Sequence, residues 1–161
     1  MTRATHTTRL TRGMAPRQGI GASVSSRTRM TGTAKTLAIL LIVFVFCDFL
    51  LSPLGFETRG SALLGNPASL PWLGLLFGGL ILNIISLILL RSRPRTASIL
   101  AIVGSIAYIA VGLGDLAGSV SSLRAPVLVA DVEVVTIVLL VGVLFFASRV
   151  YKERTTSLPR A

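Results

Sequence analysis

Four of the six carboxylates in this sequence lie within or beside long apolar runs, and they are Asp48, Asp115, Asp131 and Glu133. A charged carboxylate at the centre of a lipid bilayer costs at least about 2.5–3.5 kcal/mol, so it normally faces other protein groups or water. In that setting it can hold a cation, relay a proton or join a buried hydrogen-bond network. These residues are therefore the first candidates for chemistry.

Most other reactive chemistry is missing from the sequence. Cys47 is the only cysteine and His6 the only histidine, which excludes an internal disulfide, a thiolate cluster and a site with several histidine ligands. We predict no metal site and no cofactor on these grounds. The sequence also contains no P-loop, dinucleotide-binding fingerprint, GxSxG elbow or HExxH pattern. We therefore expect a protein that is not an enzyme.

Composition indicates a membrane protein. Apolar residues make up 52% of the chain and charged residues 14%, and the mean hydropathy is +0.80. A soluble domain carries about 25% charged residues, so this chain is too apolar for water. The formal net charge of +10 would suit nucleic acid, but no aromatic residue is interleaved with the basic N-terminal segment, and we expect no nucleic-acid partner.

Four apolar runs are each long enough to cross about 30 Å of hydrocarbon as a helix. They predict transmembrane helices over residues 36–54, 70–90, 97–118 and 126–147. The connections are short, including a polar one over 55–69, so sequential helices should be antiparallel. Trp72, near the start of the second run, suits an interfacial anchor. We predict an all-α membrane protein with a four-helix antiparallel bundle over residues 36–148.

The two ends of the chain are basic. Residues 1–35 are rich in Thr, Arg, Gly and Ser without apolar periodicity, and we predict a disordered tail there. The same composition is typical of an organelle transit peptide, and a start at Met14 or Met30 instead of Met1 is also open. Residues 149–161 form a second, short basic tail.

The distribution of cations predicts the orientation. Fourteen of the sixteen Lys and Arg residues fall in the two tails or in the 91–95 loop, whereas Arg59 and Arg124 fall in the two other loops. Such a bias in short loops predicts that the basic segments face the cytoplasm. We expect a protein of the cytoplasmic membrane with both termini inside and with tails that contact anionic lipid.

Helix geometry puts three polar residues at one depth. With a rise of about 1.5 Å per residue, Asp48 lies about 18 Å and Tyr108 about 16 Å from the inner ends of their helices. Glu133 lies about 10 Å from the outer end of the fourth helix, hence about 20 Å from the inside. We expect these three residues to form a polar cluster in the outer half of the bundle, which is either a cation or proton site or a structural knot. If the fourth helix begins near Val132, Glu133 lies at the interface instead.

The remaining carboxylates are predicted at the outer rim. Asp131 lies two positions from Glu133 and hence about 200° away around the helix, so the two cannot face one site. We expect Asp115 and Asp131 near the rim, with Arg124 or Arg59 as partners.

Small and polar residues mark the predicted helix contacts, because GxxxG spacings let backbones approach and an amide can bridge helices. The residues concerned are Gly74, Gly78, Asn83, Ala97, Ala101, Ser105, Gly114 and Gly118. We expect contacts within the bundle, and a dimer face is the alternative.

These features favour a small accessory or scaffold protein of unassigned activity, which acts through helix contacts with itself or with another membrane protein. The alternative is a small transporter or channel subunit that uses Asp48 and Glu133 as an acidic cation or proton site.

Overall fold

The computed structural model describes residues 30–120 and 127–156 of the chain. These residues form helices and turns, and no strand occurs among them. Four long helices and one short 3-10 helix follow one another as α1 (Gly32–Leu64), the 3-10 helix (Pro67–Ser69), α2 (Leu70–Leu89), α3 (Pro94–Leu116) and α4 (Val127–Thr156). Most of the predicted N-terminal tail lies outside the described residues.

Four helical segments are long and apolar enough to cross a bilayer, each with a mean hydropathy of 2.1 or more. They are Gly32–Leu50, Pro67–Leu89, Pro94–Leu116 and Val127–Thr156. The outward faces of the helices are also apolar, since Phe49, Ile88 and Val138 are each at least 65% exposed. An apolar exterior of this extent is expected where lipid surrounds the protein. The predicted all-α fold with four helices able to span a membrane is confirmed.

Residue contacts show that neighbouring helices are antiparallel. Ser86, near the end of α2, donates a hydrogen bond to the carbonyl of Ala97, near the start of α3 (2.8 Å). Trp72, near the start of α2, packs instead against Gly114, near the end of α3. α2 packs on α3, α3 on α4 and α4 on α1, whereas α1 and α2 contact each other less. The contact between α1 and α2 is therefore the least extensive of the four between neighbouring helices.

The two ends of the bundle carry different groups. Thr33, at the start of α1, donates to Glu153, near the end of α4 (2.6 Å). Arg95, at the start of α3, contacts the Tyr151 hydroxyl of α4 (3.5 Å). We call this the terminal end, because the described chain begins and ends there. The opposite end, with the α1–α2 and α3–α4 connections, is called the cavity end.

α1 is longer than the apolar run predicts. The predicted helix stops at residue 54 and residues 55–69 are predicted as a polar connection, but α1 continues through Pro53 to Leu64. A proline inside a helix removes one backbone hydrogen bond, which membrane helices tolerate when neighbouring groups satisfy the freed carbonyl. Gly55 and Leu63 of this extension line the cavity described below. Packing against the bundle therefore supports a helix that local propensity does not predict.

Parts of the predicted tails are helical as well. α1 begins at Gly32 instead of residue 36, and α4 continues to Thr156 instead of ending at residue 147. The two extensions contact each other, because Thr31 and Thr33 both donate to Glu153 (3.3 and 2.6 Å). Lys, Glu and Arg also have high helix propensity, so the charged end of α4 stays helical beyond the apolar run.

A close contact between helices joins α2 and α3 at Gly79 and Gly104. A Cβ atom on either glycine would lie 2.8 Å from the backbone oxygen of the other, so neither position has room for a side chain. Asn83, one turn along α2, is fully buried and donates to the Gly79 carbonyl (3.0 Å). Its Oδ1 accepts a hydrogen bond from the Ser105 hydroxyl (3.4 Å). Small residues and one amide therefore set the α2–α3 distance.

Only some of the predicted small residues take part in such contacts. Ala97 and Ala101 are fully buried, and Gly114 packs against an indole ring. Gly74 and Gly78, by contrast, have no heavy atom within 4 Å of where a Cβ would stand. The contact with α3 is made by Gly79, one residue after the second glycine of the GxxxG spacing in α2. That spacing alone does not reveal which face of a helix meets its neighbour.

Gly118 is predicted to take part in a helix contact, but it lies beyond the end of α3. It follows the end of α3 with a φ of +74°, a conformation that glycine adopts without a steric penalty. Its N–H donates to the Asp115 carbonyl (2.8 Å). Gly118 therefore terminates the helix and makes no helix contact.

Candidate functional site

A cavity of about 110 Å³ lies at the cavity end, and the described residues enclose it only in part. Its polar lining residues are Asp48, Ser52, Tyr108, Asp115, Glu133 and Thr136. Its other lining residues are Gly55, Leu63, Trp72, Leu73, Leu76, Val111, Val120 and Val129. One water molecule needs roughly 10–15 Å³ of such cavity space, so the cavity has room for several waters or a small solute.

Asp48 is held in place at the cavity wall. The Tyr108 hydroxyl donates a hydrogen bond to its Oδ1, and the Ser52 hydroxyl donates to its Oδ2 (3.4 Å). The Asp48 side chain is 4% exposed. Phe44 meets the Tyr108 ring edge-on, with 5.0 Å between the ring centroids. Phe44, Asp48 and Ser52 share one face of α1 because they are four residues apart.

Glu133 faces the same cavity from α4. Its Oε2 atom is shielded from solvent, and a Cβ on Gly112 of α3 would lie 3.6 Å from its Oε1. Thr136, nearly one turn further along α4, also lines the cavity, and its hydroxyl donates to the Val132 carbonyl (2.8 Å). The structure therefore brings Asp48, Tyr108 and Glu133 to one cavity.

The position of Glu133 depends on where α4 starts. α4 begins at Val127, so Glu133 lies in its second turn rather than at a helix start near Val132. Asp131 is exposed, whereas Glu133 lines the cavity, in keeping with the angle of about 200° between them.

Asp115 lies in the last turn of α3, in keeping with its predicted place at the rim. Its side chain is half-buried and lines the cavity together with Asp48 and Glu133. α3 presents Asp115 on this side because it lies seven residues, about two turns, after Tyr108. The side chain of Arg59 and the whole of Arg124 lie outside the described part of the chain, so the predicted ion pairs with them stay predictions.

The interfacial position predicted for Trp72 fits its place near the start of α2, but the ring also has neighbours within the bundle. The indole is half-buried and forms part of the cavity wall. A Cβ on Gly114 would lie 3.0 Å from two of its ring carbons, so that glycine lets the ring pack closely on α3. The cavity therefore has an aromatic surface as well as an acidic one.

Three carboxylates around one small cavity determine what it can bind. Ionised carboxylates only accept hydrogen bonds, and they repel one another where water is scarce. A cation or a proton among Asp48, Asp115 and Glu133 would relieve that repulsion. Within residues 30–120 and 127–156, however, no three His, Cys, Asp or Glu side chains are grouped so that they could hold a metal ion.

The polar and aromatic residues of the cavity wall that are absent from the predicted site are Ser52, Trp72 and Thr136. Ser52 comes four residues after Asp48, and Thr136 comes three after Glu133, so helical spacing could have placed both on the cavity face. Trp72 carries no such signal, because an aromatic residue near a helix start fits a membrane interface equally well.

No family model matches the chain, and no curated protein or solved structure matches it. Its function is therefore inferred from the cavity and the residues around it.

Proposed function

We propose that the protein is a small transporter or channel subunit that binds a cation or a proton in the cavity, between Asp48 and Glu133. The observation that carries this proposal is the convergence of Asp48, Asp115 and Glu133 on one partly enclosed cavity. Ionisable residues within membrane-spanning helices are rare because lipid makes them costly, and they commonly mark a substrate, ion or proton pathway.

A purely structural role explains the Asp48–Tyr108 bond between α1 and α3, but it explains the presence of Asp115 and Glu133 around the same cavity less well. Helix register between α2 and α3 is already set by the Gly79–Gly104 contact and by uncharged Asn83 and Ser105. A hydrogen bond of that kind contributes about 0.6–2 kcal/mol without placing a charge in the membrane. Three carboxylates would fix helix register at a much higher cost in desolvation free energy. They also line a cavity, whereas residues that fix register pack against one another.

The orientation of the cavity follows from the basic residues. The basic residues whose side chains the structure describes lie near the terminal end, and they are Lys35, Arg91, Arg93, Arg95, Arg149, Lys152 and Arg154. Basic residues face the cytoplasm and contact anionic lipid there. We therefore place the terminal end on the cytoplasmic side of the cytoplasmic membrane, with the cavity opening toward the other side.

A flux measurement in liposomes tests the proposal. Purified protein is reconstituted with a pH-sensitive dye inside, and a cation or pH gradient is applied. We expect uptake or release that Asp48→Asn and Glu133→Gln each abolish. Asp131→Asn is the matched control, because Asp131 lies on the same helix but is exposed. Circular dichroism checks that all variants remain helical. Flux that is absent from the wild type, or equal in all variants, contradicts the proposal.

An accessory or scaffold role is the second candidate, and the exposed part of α2 favours it. Gly74 and Gly78 leave open space where another helix could approach closely. This role predicts a complex that Gly78→Leu disrupts while the fold is kept. Cross-linking in native membranes distinguishes the two candidates, because a transporter that works as a monomer would show no such dependence on Gly78.

A further inference from the structure

We infer that the cation bound by the cavity is a small primary alkylammonium ion rather than a metal ion. This inference rests on the proposed function, because it names the class of substrate for the same site. It is carried by the chemistry of the wall, which combines acidic groups with a larger apolar and aromatic surface.

The wall does not suit an inorganic cation. Ca²⁺ takes six to eight oxygen ligands and Mg²⁺ a near-ideal octahedron. The described chain contains no group of three acidic, His or Cys side chains that could hold a metal ion. Much of the remaining surface comes from side chains that have no atom able to coordinate a cation, such as Leu73, Leu76, Val111 and Val129. A bare metal ion would lose its hydration shell without sufficient replacement.

The same wall suits an ammonium group with a short apolar tail. Asp48 is oriented by Tyr108 and Ser52, so its carboxylate can accept an N–H from a ligand in the cavity. Glu133 offers a second acceptor from α4. The Trp72 indole in the wall can attract a cation and can also pack against methylene groups. One ligand therefore satisfies both kinds of surface.

A short apolar tail has room beside the ammonium group. The cavity of about 110 Å³ is only partly enclosed, and it is large enough for propylammonium, which has four non-hydrogen atoms. Each methylene from methylammonium to propylammonium should strengthen binding about three- to fourfold, because each adds buried apolar surface. This dependence on chain length would not occur at a site for the charge alone.

The chain supplies its own reporter for the test. Trp72 is the only tryptophan in the sequence, so intrinsic fluorescence reports on the cavity wall. We would titrate the purified full-length chain in detergent with propylammonium, with the neutral 1-propanol and with Na⁺ and Mg²⁺. We expect a saturable change with propylammonium, and binding about tenfold weaker or worse for 1-propanol, which lacks the charge-assisted hydrogen bonds.

Variants locate the binding. Glu133→Gln and Asp48→Asn should each weaken propylammonium binding about tenfold or more, whereas Asp131→Asn should leave it unchanged. The comparison among ligands uses the wild-type chain, so it decides the question even if a cavity variant fails to fold. Equal loss in Asp131→Asn would indicate non-specific attraction to surface charge and would overturn the inference.

Failure of this inference is distinguishable from failure of the proposed function. If Na⁺ or Mg²⁺ changes the fluorescence at concentrations as low as propylammonium does, the ammonium class is wrong while a cation site remains. If 1-propanol binds as well as propylammonium, the cavity does not recognise charge, and the inference and the proposed function both fall. If propylammonium produces no change although flux in liposomes depends on Glu133, only the inference falls.

Discussion

The Tyr108 hydroxyl donates a hydrogen bond to the Asp48 carboxylate across the diagonal of the bundle. Asp48 belongs to α1 and Tyr108 to α3, and these two helices share few other contacts because each packs mainly on α2 or α4. The bond therefore fixes the relative depth of α1 and α3. It also orients one of the three carboxylates that line the cavity.

Removing this bond should destabilise the bundle. Tyr108→Phe keeps the ring against Phe44 but takes a donor from a buried carboxylate. We expect the free energy of unfolding in mixed micelles to fall by about 1–2 kcal/mol. Tyr151→Phe is the matched control, because the other tyrosine lies at the terminal end in an exposed contact with Arg95. That variant should change stability by less than about 0.5 kcal/mol. Equal effects of the two variants would mean that the bond does not tie α1 to α3.

Neighbouring glycines of α2 should respond to alanine in opposite ways. A Cβ on Gly79 would lie 2.8 Å from the Gly104 carbonyl oxygen, and backbone on both sides leaves no room to relax. Gly79→Ala should therefore push α2 from α3 and cost about 1–3 kcal/mol of unfolding free energy.

The control for that substitution is Gly78→Ala, at a position with open space. Because alanine is the better helix former, this variant should be neutral or stabilising by up to about 1 kcal/mol. Thermal unfolding of the two variants, side by side, checks the prediction. A Gly78→Ala variant that is the less stable of the two would show that another helix covers that face.

Orientation in the membrane gives a third prediction. The start of α1 and the end of α4 lie together at the terminal end, through Thr33 and Glu153. Reporter domains fused ahead of residue 30 and after residue 156 should therefore both be active in the cytoplasm, where the basic residues hold them. A reporter placed between α3 and α4 should be active only on the opposite side. Opposite results for the two terminal fusions would rule out an even number of crossings.

The fold was largely predictable because a backbone in lipid must satisfy its own hydrogen bonds, which restricts it to few structures. A long apolar run must satisfy its own peptide groups, so four such runs become four helices. The limits of the helices were less predictable. Pro53, Gly55 and the polar residues after them are typical of a loop, yet α1 continues to Leu64. That extension depends on packing at the cavity end, which periodicity along one helix does not reveal.

The site was predictable to the extent that it depends on helix rise. Counting residues places Asp48, Tyr108 and Glu133 at one depth, and the structure puts all three at one cavity. The rim position predicted for Asp115 and the interfacial position predicted for Trp72 do not include the cavity that both side chains also line, because depth alone does not give the direction in which a side chain points. Likewise Gly79 and Gly104 meet across two helices, and neither has a glycine four residues away to mark it.

Access of water to the cavity is the most direct test of the central claim, that a charged ligand can reach Asp48 and Glu133. Single cysteines are placed at 136 and 135 after Cys47→Ala removes the only native thiol. Thr136 lines the cavity, whereas the adjacent Val135 is 54% exposed on the outward, apolar side. A small charged thiol reagent should modify the Thr136→Cys variant rapidly, from one side of the membrane only, and the Val135→Cys variant slowly. Equal rates at the two positions, or no reaction at 136 from either side, would contradict the account.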